Sequence, residues 1–580
     1  GASGSWRIIK TTSPTNLTIN GNTIDGMSWT TATSTGGLEA IYGLSSSVNV
    51  TVTNNIIRNL STPTTGTITG IREFGVAGNK TIQGNQVYNF STTSGGAGGA
   101  TFNGIFCSVG TIDVSSNLIY ALNSTGSTGG SSGTIYGIQI SAGTSSNIVK
   151  NKIYNLSSTS TSPVVGGILI AGNTTNTITN NLIGDLRATA ANAANPLIGI
   201  NITGGTTTNV YYNTVVLNGS SSGALFGSSA ISVSTTPTVT FRNNIFVNLS
   251  TVSGSGLAVA YRRSSTTLTS YGSASNNNFY YAGTPGASNL IFYDGTNSDQ
   301  TLAAFKARVA PRDAASASEV VSPVAGVFFQ SFTGSDAGFL HMVAGLATQI
   351  ESGAAPISGI TDDYDTDVRN VTSPDMGADE FAGTAVDLSG PSISYTLLTN
   401  TLCLASGPTI NATITDGSGV NVLPGTKPRV WFRKTTNANA LPGTNDNTTD
   451  GWKWVEASNA SSPFSISIDY NLLFGGIAAG DSIRYFVVAQ DNAATPNLGI
   501  NQGTFAAPPS TVALNAGAFP VNGTNSYKIL PSVATSITIG AAGTYPTLSG
   551  PGGLFATING SGLSGNTTVT ILDASITETG

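Results

Sequence analysis

Charge is what this chain most lacks. Of 580 residues, 22 are Lys or Arg and 28 are Asp or Glu, so 9 % are charged, where an ordinary soluble domain carries about 25 %. Without a dense Lys/Arg face to meet phosphate, nucleic acid is excluded as a partner. There is a single histidine, His341, and only two cysteines, Cys107 and Cys403. That scarcity removes most His-based catalysis and nearly all Cys/His metal sites. No apolar run approaches the roughly 18 residues that a membrane-spanning helix needs, so no span is expected.

What is present is Gly (71 residues), with abundant Ser, Thr and Asn, on a 39 % hydrophobic background. That is too much apolar area for a disordered polar tail. Residues 1–280 hold eleven bases against five acids, and the remainder eleven bases against 23 acids, seven of them between Asp362 and Glu380. The chain changes character near residue 280 and again near 380.

An internal repeat explains the first region. The pattern Asn-x-(Ile/Val)-x-x-(Leu/Phe) starts at Asn55, Asn85, Asn117, Asn151 and Asn181, returns with Phe at its third position at Asn244, and has weaker copies at Asn22, Asn213 and Asn278, a mean spacing of 32 residues. A small residue followed by Ile (Gly70, Gly104, Gly137, Gly167, Gly199, Ala230) precedes most copies by 13 to 15 residues. Fixed periods of this size mean stacked architectures. Short runs of alternating apolar residues read as strands, and no helical pattern supplies crossovers. The expected fold is all-β: a right-handed parallel β-helix. Its inward column is Ile24, Ile57, Val87, Ile119, Ile153, Ile183, Val215, Phe246 and Tyr280. The repeat Asn residues should form a hydrogen-bonded ladder at a turn whose backbone angles Asn tolerates. Coils are expected over 1–282, and 283–387 should seal the open end with one short, acid-started helix near Ser298–Lys306. Two Trp residues (Trp452, Trp454) and strand-like runs at 428–433 and 482–489 predict an antiparallel sandwich over 388–532.

Three segments carry a family resemblance. Residues 361–369 (TDDYDTDVR) followed by 374–381 (PDMGADEF) resemble the closing signature D-x-D-G-x-x-R … D-I-G-A-x-E of secreted parallel β-helix surface proteins of Bacteroidota, with Thr366 in place of Gly and Met376 in place of Ile. Residues 412–420 and 479–485 resemble the immunoglobulin-like spacers of such proteins. Residues 537–548 resemble the I-G-x-G-G-x-Y-x-T-L opening of a fresh β-helix, with Ala542 for one Gly, so 533–580 should begin a further module. The resemblance implies an extracellular, cell-surface stalk or adhesin of tandem modules, exported by the type IX route. Its partners would be neighbouring modules of the same long chain, surface polysaccharides or other cells.

Chemistry is thin. Asp25, Asp113 and Asp185 fall at different registers, and Arg262 and Arg263 have no acid near them in sequence, so no paired carboxylates form and catalysis is not expected. Tyr88, Tyr120 and Tyr154 share one motif position on successive coils and should point outward. They would stack against sugars or shield a strand face, the latter being the commoner use of such rows. Asp363, Asp365 and Asp367 alternate as calcium ligands can; the competing use is a turn within the cap, with Arg369 neutralising part of the charge. Otherwise no cofactor is expected. His341 reads as isolated, Cys107 as a small buried hydrophobe, and a Cys107–Cys403 bridge is not expected. Asp481-Ser482-Ile483 matches a short O-glycosylation pattern. Three functions follow: a structural or adhesive rod, a carbohydrate-binding or polysaccharide-processing β-helix, or a Thr-lattice crystal binder, the last disfavoured because Thr holds no single register.

Overall fold

The computed structural model describes residues 4–11, 15–29, 36–43, 48–62, 66–92, 99–125, 133–402, 405–493, 495–563 and 565–578. The chain divides into two compact units, Gly1–Val386 and Asp387–Gly580.

The first unit is a parallel β-solenoid with three faces. One face of eleven strands runs from Trp6–Thr11 to Asn289–Tyr293 and closes on Ser298–Asp299; a second of eight runs from Asn16–Asn20 to Thr238–Arg242; a third runs from Thr23–Asp25 to Phe279–Tyr281. On the third face the expected inward column stacks in unbroken register from Ile24 through Ile57, Val87, Ile119, Ile153, Ile183, Val215 and Phe246 to Tyr280. All nine side chains are buried.

The small residue before Ile on the first face has a steric cause. A Cβ added at Gly70, Gly104, Gly137 or Gly167 would lie 2.5–2.7 Å from Val87, Ile119, Ile153 or Ile183 of that column. The two faces approach across the coil because the glycines leave the space.

The asparagine ladder is continuous. Each Nδ2 donates to the Oδ1 of the next coil's Asn, from Asn22 through Asn55, Asn85, Asn117, Asn151, Asn181, Asn213 and Asn244 to Asn278, at 2.9–3.0 Å. Asn278 then donates to Asp313 at 3.1 Å. From Asn55 onward each also donates to backbone carbonyls, as Asn181 does to Ile148 (2.8 Å) and Thr179 (3.0 Å). The expected location of the strained angle was off by one residue. Left-handed φ values fall on the preceding residue: Asn54 (54°), Ser116 (54°), Lys150 (55°), Asn180 (54°), Tyr212 (52°), Asn243 (62°) and Asn277 (57°). The corner turns there, which frees the ladder Asn to point inward.

One coil buries two charged side chains at inward positions. Glu73 stands between Gly43 and Cys107 in register, and Lys80 between Val50 and Ile112; both are buried. Cys107 is buried as expected, and Cys403 lies outside the described residues.

The helix spans Leu302–Val309. Its first turn holds no acid, contrary to expectation. Thr301 caps it, accepting from the Ala304 N–H at 3.2 Å, while Asp299 pairs with Arg308 of the last turn (2.6 and 2.7 Å). Phe305 plugs the aromatic end of the solenoid core against Phe292, Tyr280 and Tyr261. The rest of the cap does more than seal an end. Phe328, Phe329, Phe339, Leu340, Met342, Ile350 and Met376 form a second core on the outside of the third face, with Tyr154, Leu182, Tyr212, Val216, Ile245 and Phe279.

The second unit contains two antiparallel sheets. One joins Ser392–Ser394, Thr409–Thr415 and Phe464–Ser467; the other joins Lys453–Glu456, Arg429–Lys434, Ser482–Gln490, Leu498–Asn501 and Asn525–Lys528. Ile410, Ile414, Ile466, Phe432, Tyr485 and Val487 share one core, and Trp431, Trp452, Phe486 and Phe519 form another. Further on, Ser536–Ile539 pairs in parallel with Thr568–Ile571.

Candidate functional site

The residues singled out by chemistry meet on the cap and the outward side of the third face. The rings of Tyr88 and Tyr120 stack at 4.6 Å and 6°, and those of Tyr120 and Tyr154 at 5.0 Å and 4°. The column points outward as expected, but each inner ring face lies on its neighbour. Tyr154 is then roofed by Phe339 (5.6 Å) and Gly334, and its burial pushes the phenol up to about 12. At the other end Arg58 donates to the Tyr88 hydroxyl at 3.1 Å and pairs with Asp25 at 2.9 Å. The geometry is that of a ring stack clamped at both ends, offering edges and hydroxyls between them.

The cap docks along the solenoid corner. Lys150 pairs with Asp362 (2.7 Å), Asn180 donates to the Asp362 carbonyl (2.9 Å), and Tyr212 and Asn243 both donate to the Ala355 carbonyl (3.2 and 2.7 Å). Asn277 donates to the Gly353 carbonyl at 3.0 Å. These five are the later left-handed corner residues, so one backbone feature turns the chain and presents the docking groups. The sequence reading missed them, though the Asn pairs at 180–181, 243–244 and 277–278 are a visible trace.

Arg369 offsets part of the charge at Asp363, as expected, but its hydrogen bonds go to other groups. It is buried, lies over the Tyr212 ring at 4.0 Å, and donates to Glu380 (3.2 Å), Asn180 Oδ1 (3.0 Å) and the Gly377 carbonyl (2.9 Å). It rivets the closing signature to the coils. Gly377, at φ 91°, donates to the Asn243 carbonyl at 2.7 Å, and a Cβ there would run into Ile245.

Asp363, Asp365 and Asp367 take separate roles. Asp363 is buried; one oxygen accepts from the Asp365 and Asp367 amides (2.9 Å each), the other from the Glu380 amide (2.8 Å). Burial raises its pKa despite these bonds. Asp367 is exposed. Asp365 leaves the row and meets His341, with Asp379 close by; the donor atoms of all three lie within 4.8 Å of one another. His341 is therefore not isolated. Burial disfavours its charge, but Asp365 and Asp379 outweigh that and hold it above the usual imidazole range. Burial lifts Asp379 to about 6, against the Met342 amide that donates to it at 2.7 Å.

In the second unit, Asp387, Asp416 and Asp491 also bring carboxylate oxygens within 4.8 Å. Asp491 is buried and accepts from Asn497 (2.9 and 2.7 Å), and burial together with the neighbouring carboxylates raises the Asp416 pKa. Among the described residues these are the two groupings of metal-ligating side chains. Arg262 and Arg263 are bonded to neutral partners, Ser229 Oγ (2.8 Å) and Tyr261 Oη (2.8 Å).

Compared with protein-family models, with curated proteins and with solved structures, the chain matches none. The fold defines the class: an all-β protein built on a parallel β-solenoid.

Proposed function

We propose that this chain is a structural or adhesive stretch of a large, repetitive bacterial cell-surface protein of the Bacteroidota type. In this reading stiff right-handed β-helix coils are followed by an immunoglobulin-like spacer and the opening of a further β-helix. It acts extracellularly, without catalysis, by holding other modules or a binding tip away from the cell and by contact with surface polysaccharides or other cells.

The observation that carries the reading is the unbroken asparagine ladder, which repeats one buried hydrogen-bonded unit on every coil and ends on a dedicated acceptor, Asp313. Such redundancy resists shear between coils, because separating any two breaks side-chain and backbone bonds together. Support for a further β-helix is the parallel pairing of Ser536 with Thr568, an offset of 32 residues that equals the mean coil length.

Single-molecule pulling on the full chain tests the mechanical role. The expected trace shows the first unit resisting to higher force than the second and then releasing in coil-length steps. Extension of the first unit at negligible force sinks the proposal. A glycan array run with a Tyr88/Tyr120/Tyr154→Ala triple variant tests the carbohydrate-binding alternative. Saturable binding to a defined glycan, lost in the variant, would replace the stalk by a lectin.

A further inference from the structure

The cap holds a second arrangement that the mechanical role does not use. The geometry points to a divalent metal site of the zinc type formed by His341, Asp365 and Asp379, which ties three separate segments of the cap together.

The orientation of the imidazole is the first argument. His341 Nδ1 lies 3.0 Å from the Phe339 carbonyl oxygen. A carbonyl can only accept, so Nδ1 carries the proton and Nε2 is the atom turned toward the carboxylates. This backbone bond to the far nitrogen is how metal-binding histidines are commonly fixed. Nε2 in turn faces an Asp365 oxygen in close contact. Two acceptor atoms in that position must share a positive centre, either a proton or a cation. Asp379 is positioned independently, since the Met342 N–H holds one of its oxygens.

Charge and access agree. Two carboxylates and a neutral imidazole sum to the charge a divalent ion neutralises. The nearby cation is Lys152, whose charge acts on Asp365 while its ammonium donates to the Asp336 carbonyl at 3.1 Å. The Asp365 side chain is 44 % exposed and that of His341 13 %, so the group is walled on one side and open on the other. An ion enters there, and water completes its shell. One nitrogen and two oxygens suit Zn²⁺, Co²⁺ or Mn²⁺, whereas Ca²⁺ and Mg²⁺ take oxygen ligands. This differs from the calcium row expected at Asp363, Asp365 and Asp367, in which Asp363 has both oxygens committed to backbone amides. The three ligands lie in otherwise irregular cap segments, so a bound ion substitutes for the hydrogen-bond ladders that hold the coils.

The test uses the full chain, stripped with chelator and titrated with ZnCl₂ by calorimetry and by thermal unfolding. We expect one Zn²⁺ per chain with a dissociation constant on the order of micromolar and a rise in melting temperature that CaCl₂ and MgCl₂ do not reproduce. Asp365→Asn, at an exposed position, and His341→Gln should each weaken binding about tenfold or more, while Asp367→Asn leaves it unchanged. Co²⁺ should give visible absorption that His341→Gln alters. Circular dichroism establishes that each variant is folded. Absence of saturable Zn²⁺ binding overturns the assignment. So does binding that survives His341→Gln unchanged, or that is abolished instead by Asp491→Asn in the second unit.

Discussion

Thr366 sits at φ 76°, in the left-handed region that a β-branched side chain resists. It stands where the resembled signature has Gly, and the backbone gives the reason. Thr366→Gly should therefore stabilise the first unit by about 0.5–1 kcal/mol, read as a shift in denaturation midpoint. Gly377→Ala has the opposite sign: with φ 91° and Ile245 in the way, it should cost about 2 kcal/mol or more. Glu73 makes a third case. Both its oxygens are buried without a hydrogen-bond donor among the described residues, and burial pushes its pKa from 4.5 to about 7 against the pull of Lys80. Between those values the folded chain keeps a proton that the unfolded chain releases, so this contribution to stability is full below pH 4.5 and is lost as pH rises through about 7. Thermal unfolding should show a lower melting temperature at pH 8 than at pH 5, and Glu73→Gln should remove that part of the difference. A pH-independent gap between wild type and variant would contradict it. The sequence showed Glu73 as one of few acids but not that it faced inward, because its neighbours in register, Gly43 and Cys107, and the Ile140, Ile170 and Ile202 that follow are uncharged.

The coil is the natural element of this protein, and its cost of damage depends on position. Asn181 gives and receives bonds on both sides, donating to Asn213, Ile148 and Thr179 and accepting from the Asn151 amide and side chain. Asn181→Ala should cost about 3 kcal/mol or more, since it orphans buried donors and acceptors on two neighbours. Asn22→Ala, at an exposed first rung, should cost about 1 kcal/mol. Equal costs in chemical denaturation would mean that the ladder is not cooperative. What was legible in the sequence follows the same line. Asn and Ile recur because every coil imposes the same burial on them, so their register could be read directly. The corner residue before each Asn is Asn, Gly, Ser, Lys or Tyr, because the backbone asks only for a left-handed angle, and the cap chooses the side chain. The helix start was misplaced because Asp299 looked like a cap acid, whereas its partner Arg308 lies a full helix away. His341 looked solitary because Asp365 is 24 residues distant in a segment with no period to align them.

Across the first unit, protection is uneven by design of the cap. Residues 328–378 cover the third face from Tyr154 to Phe279, with Leu118 and Tyr120 of the preceding strand at the margin, leaving Ile56–Thr62 and Gln86–Thr92 outside that second layer. Native-state hydrogen exchange should therefore be slower for the third-face strands from Lys152–Ser158 to Phe279–Tyr281 than for Ile56–Thr62 and Gln86–Thr92. Uniform protection along the face would show that the cap adds packing but no stability. The scarcity of charge fits the same architecture, since like charges one strand apart would repel along every column. The asparagine ladder has an electrical counterpart to its bonding. Its Asn-to-Asn bonds all run toward the capped end, so the amide dipoles add along the axis instead of cancelling. Asp313 places a carboxylate where the positive end of that sum emerges, much as an acid sits at the start of a helix. The solenoid is thus electrically polar, with distinguishable ends. An applied field should orient the isolated first unit.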